Sequence, residues 1–202
     1  MTPLPPAVAA QIAAWLASGE IDLFIGYEAG ATPLHATPAF IRRPEEISCL
    51  IWDATCETNL TAYLKNYRGQ KVGLMVKGCD AHAIIGLIQE RQWRRENLRL
   101  VGVGCRGVVD RLAVARRLGI SVDEVDTGAL EGETVRVGEA VIPLEEALHP
   151  MCGVCDRHTP NIYALLIGEG APDAPAEARF AHVREMERLS SEERWARFAG
   201  EL

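Results

Sequence analysis

Two stretches of this chain repeat one design: "KVGLMVKGCDAHAIIGLIQER" from Lys71 and "LRLVGVGCRGVVDRLAVARRLG" from Leu98. Each has an apolar run suited to a buried strand, a Gly-Cys turn, and a segment whose apolar residues recur at helical spacing. Aligning Gly78-Cys79 with Gly104-Cys105 superposes the two patterns. Strands alternating with helices imply parallel strands joined by right-handed crossovers, because a parallel pair cannot be closed by a tight turn. The repeat therefore predicts an α/β fold, a mostly parallel sheet flanked by helices. It also puts Cys79 and Cys105 at the carboxyl ends of neighbouring strands, where open α/β sheets bind ligands.

The remaining segments fit around that frame. "AVAAQIAAWLASG", after Pro5 and Pro6, has helical spacing and a Gly stop. "IDLFIGY" and "ISCLIWD" read as strands separated by a loop rich in Gly, Thr and Pro. "TNLTAYLKNYRG" reads as a helix that Thr58 caps and Gly69 ends. "LEGETVRVGEAVIPLEEAL" alternates like a small hairpin and leads into a turn of helix. Beyond it, "GEGAPDAPAEARF" reads as a linker, and "EMERLSSEERWARFAGEL" as a charged helical tail capped at Ser190 or Ser191. The expected division is one α/β domain over residues 1–168, then a linker and C-terminal docking helix over 169–202. Trp195 and Phe198 share one side of that helix, which either meets a partner or folds back on the domain.

A net charge of −7 argues against nucleic-acid binding, which needs a basic face. The start lacks the charged region and cleavage site of a signal peptide, and no apolar run is long enough for a membrane span, so the expected location is cytoplasmic. In a reducing compartment six cysteines do not make a disulfide framework. Their positions then read as metal-binding, catalytic or simply buried.

"MCGVCDRHTPN" places Cys152 and Cys155 at a spacing that holds one edge of a metal or cluster, or forms a redox pair. A closed metal site needs about four ligands. Cys79 and Cys105 are the candidates for the other two. Four thiolates are the usual set for a four-iron four-sulfur cluster or a structural zinc. Cys79 and Cys105 are each expected to open a helix, whose dipole favours the anionic state. Basic neighbours accompany them: Lys77, Arg106, Arg157 and His158.

Other residues carry weaker signals. Cys49 reads as core, and Cys56 as either a buried structural thiol or a cofactor neighbour. "GVGCRG" also fits a dinucleotide-binding pattern, with Asp123 at the distance of a ribose-binding acid. The sister turn "VKGCDAH" shares the cysteine and not the glycines, which favours the thiolate reading. Asp80 suits a helix cap. His82 and His149 suit surface or supporting roles, and Tyr27 and Glu28 either line the crevice or shape a turn.

Taken together, "KGCDAHAIIGLIQER", "LVGVGCRGVVD" and "CGVCDRHTPN" resemble the coenzyme F-420 hydrogenase/dehydrogenase beta-subunit family, whose relatives serve formate dehydrogenases and other anaerobic redox complexes. The resemblance extends through "IDLFIGYEAG" and "IWDATCETNLTAYL". It implies a four-iron four-sulfur cluster on Cys79, Cys105, Cys152 and Cys155, and FAD in characterised members. After the CxxC this chain has "ALLIGEG" where some relatives have an acidic residue and Ser-Val-Gly. Many relatives continue into a cysteine-rich ferredoxin-like module, whereas this sequence stops at Leu202, so a separate partner is expected to supply those clusters. One cluster moves one electron at a time, which suits a subunit of an oxidoreductase complex better than a complete enzyme. The expectation is an electron relay between a ferredoxin-like partner and a flavin-containing or catalytic subunit in a hetero-oligomer. Two alternatives accompany it: a flavin-dependent subunit reducing a deazaflavin or similar carrier, and a zinc-stabilised interaction module.

Overall fold

A computed structural model describes residues 2–200, so the end of the sequence at Leu202 lies outside the described residues. Helix α1 (Pro6–Ala17) starts on a proline, which suits a position whose N–H has no intrahelical partner, and buries Val8, Ile12 and Trp15 on one stripe. Strands β1 (Leu23–Ala29) and β2 (Ala36–Ile41) form an antiparallel pair. Strand β3 (Val72–Val76) runs into α2 (Gly78–Gln89), and β4 (Leu98–Val103) is followed by α3 (Arg111–Leu118). Three short antiparallel strands, β5 (Ala129–Glu131), β6 (Thr134–Val137) and β7 (Ala140–Pro143), make a separate sheet that leads into α4 (Leu144–Ala147). Strand β8 (Leu165–Ile167) returns to the main sheet, and α5 (Ala176–Arg179), α6 (Ala181–Arg188) and α7 (Ser191–Gly200) complete the chain.

The main sheet has the order β2-β1-β3-β4-β8, with β1, β3, β4 and β8 parallel. The architecture is α/β, as the repeated strand and helix pattern requires. Every residue of β3 is buried, as expected for a parallel strand covered on both faces. Its core includes Phe24, Ile25, Leu74, Met75, Leu100 and Val101. A second core gathers Val109, Val114, Val125, Val135 and Ile142 beneath the small sheet. Among the described residues no helix is long and apolar enough to cross a membrane.

Several local expectations change. "ISCLIWD" contributes a 3-10 helix over Pro44–Cys49, not a strand: Pro44 pre-sets its first turn, and the Glu46 carboxylate accepts the Arg42 and Arg43 backbone N–H groups. Only single bridges to Pro3 and Tyr27 follow at Ile51. The helix expected near Thr58 is a 3-10 helix over Leu60–Tyr67, capped by Asn59, whose side chain accepts the Thr61 N–H at 2.9 Å. Strands β2 and β8 lie in stretches that read as loop and post-CxxC tail. The hairpin gains a third strand. Ser190 does cap α7, its hydroxyl accepting the Glu193 N–H while Glu193 accepts the Ser190 N–H.

Candidate metal centre

The parallel order places the ends of β3 and β4 side by side, with Val76 opposite Gly102. Cys79 follows β3 as the second residue of α2, where backbone N–H groups lack intrahelical partners. Cys105 follows β4, yet it does not open a helix. The chain runs on through an irregular loop until Asp110 caps α3 by accepting the Leu112 N–H at 2.8 Å. That path corrects the expected dipole at Cys105 and removes the strand-turn-helix context a dinucleotide fingerprint needs. Asp123 lies in a short 3-10 helix, Val122–Glu124, away from this loop.

Backbone bonds bring the CxxC to the same place. The His149 N–H donates to the Val108 carbonyl at 2.8 Å, and the Cys105 N–H donates to the His158 carbonyl at 2.8 Å. Residues read as a linker tighten the join: the Ala171 N–H donates to the Cys105 carbonyl at 3.0 Å and the Ala174 N–H to the Cys155 carbonyl at 2.7 Å. Asp173 accepts the His158 N–H at 2.8 Å. Glycine is required at two contacts here. A Cβ on Gly78 would lie 1.8 Å from the Arg157 carbonyl oxygen, and one on Gly104 would lie 2.3 Å from the Glu169 carbonyl carbon.

Cys79, Cys105, Cys152 and Cys155 all line one cavity of about 270 Å³, together with Glu57, Lys77, His149, Arg157 and His158. Cys105 is buried, Cys152 and Cys155 are half-buried and Cys79 is exposed. Among the described residues no three His, Cys, Asp or Glu side chains group tightly enough to hold a single ion. The cysteines are near enough to influence one another electrostatically: Cys105 and Cys155 raise Cys79, and Cys152 and Cys155 raise Cys105.

Burial raises the pKa of three of these thiols, Cys79, Cys105 and Cys152. Loss of hydration, then the Asp80 carboxyl, pushes Cys79 up to about 12, and Lys77 opposes the shift. Desolvation pushes Cys105 up to about 11 against the Gly107 N–H, which donates to its sulfur at 3.4 Å. Burial raises Cys152 as well. The Arg157 N–H likewise donates to the Cys155 sulfur at 3.4 Å. Four soft sulfur donors, two of them accepting backbone N–H groups, fit a cationic iron-sulfur core that neutralises the thiolates as it binds.

Beneath the cavity is a buried polar network. Lys77 Nζ donates to the Tyr27 hydroxyl at 2.5 Å and to the Cys56 and Thr58 carbonyls at 3.2 and 3.0 Å. Its ammonium also lies 3.2 Å from the Asp80 carboxylate, which accepts the Lys77 N–H as the helix cap. Tyr27 thus supports the floor rather than lining the cavity, and Cys56 is fully buried in the main core. Cys49 is half-buried against that core, and His82 is exposed. His149 lines the cavity. Glu57 also lines it and carried no motif in the sequence; its position depends on the loop after Cys56.

Against known proteins, 24% identity over 136 residues links this chain to the F420-dependent formate dehydrogenase 1 subunit beta of Methanococcus maripaludis, covering 66% of this chain. Over that stretch the chain is similar to the beta subunit of an F420-dependent formate dehydrogenase. It spans 35% of that relative's length. A similar fold occurs in a chain of the F420-reducing [NiFe] hydrogenase complex from Methanosarcina barkeri, with a TM-score of 0.54 and 19% identity. That match covers 74% of this chain and 58% of the other. No family model matches.

Proposed function

We propose that this chain is a redox subunit that holds one four-iron four-sulfur cluster on Cys79, Cys105, Cys152 and Cys155 and relays single electrons. The observation that carries the reading is the opening of all four thiols onto one cavity. The named relative, a beta subunit of an F420-dependent dehydrogenase, supports membership of a multi-subunit redox enzyme. When bound, the cluster supplies one-electron storage. The protein's own part is to orient four sulfurs and donate N–H groups to two of them. Partners would be a ferredoxin-like protein and a flavin-containing or catalytic subunit. Trp195 and Phe198 are 69% and 52% exposed and pack edge to face on α7, so this aromatic side is open for such docking.

A flavin-linked variant of this reading has its own support. A second cavity of about 220 Å³, lined by Trp52, Gly104, Arg106, Gly107 and Leu130, shares Gly107 with the cysteine cavity. A flavin ring there would sit next to the cluster. FAD carries the two-electron chemistry that a single cluster lacks.

The test is metal, sulfide and flavin analysis of protein purified without oxygen, with its visible and electron paramagnetic resonance spectra. About four irons and four sulfides per chain support the cluster, and bound yellow flavin supports the linked variant. Stoichiometric zinc without sulfide, in protein never exposed to air, overturns the redox reading in favour of a structural site.

A further inference from the structure

The cysteine cavity has one cationic side chain whose hydrogen-bonding capacity is unspent. Lys77 is fully engaged by the Tyr27 hydroxyl, two carbonyls and Asp80. His158 has its Nδ1 2.9 Å from the Cys105 carbonyl oxygen, which can only accept, so that nitrogen carries the proton and is used. His149 Nδ1 accepts the Met151 N–H at 3.2 Å. Arg106 pairs with Glu133 at 3.0 Å and does not line the cavity. Arg157 lines it, and its Nε is buried with no hydrogen-bond partner among the described residues.

Burying a guanidinium N–H without an acceptor is unfavourable, so the position of Arg157 beside the cavity calls for a compensating interaction. The root of this side chain is fixed. Its backbone N–H bonds the Cys155 sulfur, and its carbonyl and Cγ abut Gly78, the residue before Cys79. The backbone and Cγ of Arg157 are therefore tethered between the Cys155 sulfur and the residue before Cys79. A cluster ligated by four thiolates is anionic and gains another negative charge on reduction, and its bridging sulfides are hydrogen-bond acceptors. The other nearby carboxylate, Glu57, lies 3.6 Å from His35.

Resting on the cluster reading above, we propose that Arg157, whose side chain lines this cavity, compensates the charge of the cluster held there and favours the reduced state. Because arginine stays charged at every working pH, the effect acts through position and charge rather than titration. Adding one electron makes and breaks no bond, so the readout is the reduction potential itself.

The experiment is a mediated dithionite titration of anaerobically prepared protein, followed by electron paramagnetic resonance, on wild type, Arg157→Gln, Arg157→Lys and Arg106→Gln. Arg157→Gln should move the potential to more negative values, Arg157→Lys should recover part of the shift, and Arg106→Gln should move it less. Full cluster content with an unchanged potential in Arg157→Gln overturns the assignment and leaves the cluster reading standing. So does an equal shift in Arg106→Gln. If Arg157→Gln fails to retain a cluster, retention in Arg157→Lys supports the charge role, and loss in both variants overturns it in favour of packing. Wild-type protein that takes up no iron and sulfide overturns the cluster reading and this assignment together.

Discussion

The Lys77 ammonium and the Asp80 carboxylate lie 3.2 Å apart, with side chains 4% and 0% exposed, directly behind Cys79. Burial raises the Asp80 pKa, while the Lys77 charge and the Lys77 N–H pull it down. A pair of this kind contributes little over an apolar replacement, yet breaking it strands a buried charge. Asp80→Ala should destabilise the fold by about 3–5 kcal/mol. Asp80→Asn keeps the cap acceptor and should cost less, and the double variant Lys77→Met, Asp80→Asn should recover stability relative to Asp80→Ala. Urea unfolding of the set measures this, and additive losses would show that the two side chains are not coupled.

Each of the four cavity cysteines should be needed for the bound group, and the core cysteine should not. Single Ser replacements of Cys79, Cys105, Cys152 and Cys155 should lower cluster retention by at least about tenfold, the scale seen when a metal site is disturbed. Cys49→Ser should leave it unchanged, since Cys49 packs on the core away from the cavity. Iron and sulfide per chain read this out. Full occupancy in both Cys79→Ser and Cys105→Ser would remove these residues as ligands.

Glycine replacements should separate the site from the scaffold. A methyl group at Gly78 meets the Arg157 carbonyl, so Gly78→Ala should cost about 1–3 kcal/mol and loosen the Arg157 segment. Gly86, inside α2, has open space around its Cβ position. There Ala should stabilise by about 0.5–1 kcal/mol through its higher helix propensity. Thermal melts of both variants check the contrast, and stabilisation in Gly78→Ala would show that the close approach is not maintained in solution.

Stability should fall in alkali. Burial pushes the Cys56 thiol above the ordinary range of a thiol, up to about 12, with the Asp53 backbone and Lys77 opposing. Burial and the Asp80 charge raise Tyr27 well above its usual value too. For groups raised in the folded state the stabilisation is complete below the unfolded pKa and is lost as pH climbs toward the folded one. The window for Cys56 is therefore from about pH 9 to about pH 12, with a slope of about 1.4 kcal/mol per pH unit for the single group. Cys56→Ala should show a shallower decline. Identical alkaline slopes for the two proteins would mean that Cys56 does not titrate on unfolding.

Much of the frame was legible because it rests on local, periodic signals. The apolar runs before Gly78 and Gly104 could only be buried strands, and the residues that followed Cys79 could only be a helix. The ends of β3 and β4 then had to be neighbours, which brought Cys79 and Cys105 together on paper. The spacing of Cys152 and Cys155 marked them as a pair without any fold.

What the sequence did not determine depends on partners distant along the chain. Strand β2 exists because β1 offers it an antiparallel edge, and β8 because β4 leaves one open; three and six residues carry too little periodicity to declare themselves. "ISCLIWD" has the composition of a strand, but Pro44 and Glu46 set a tighter local turn than propensity could weigh. The loop after Cys105 stays irregular because its backbone groups bond to Ala54, Ala147 and the CxxC segment instead of to each other. Tertiary structure alone closed the CxxC against the two strand ends, turned Lys77 inward to Asp80 and left Arg157 with a buried, unsatisfied donor. Sequence determines which chemical groups are present and which short elements form; only packing decides which groups lose water together, and that desolvation creates the site.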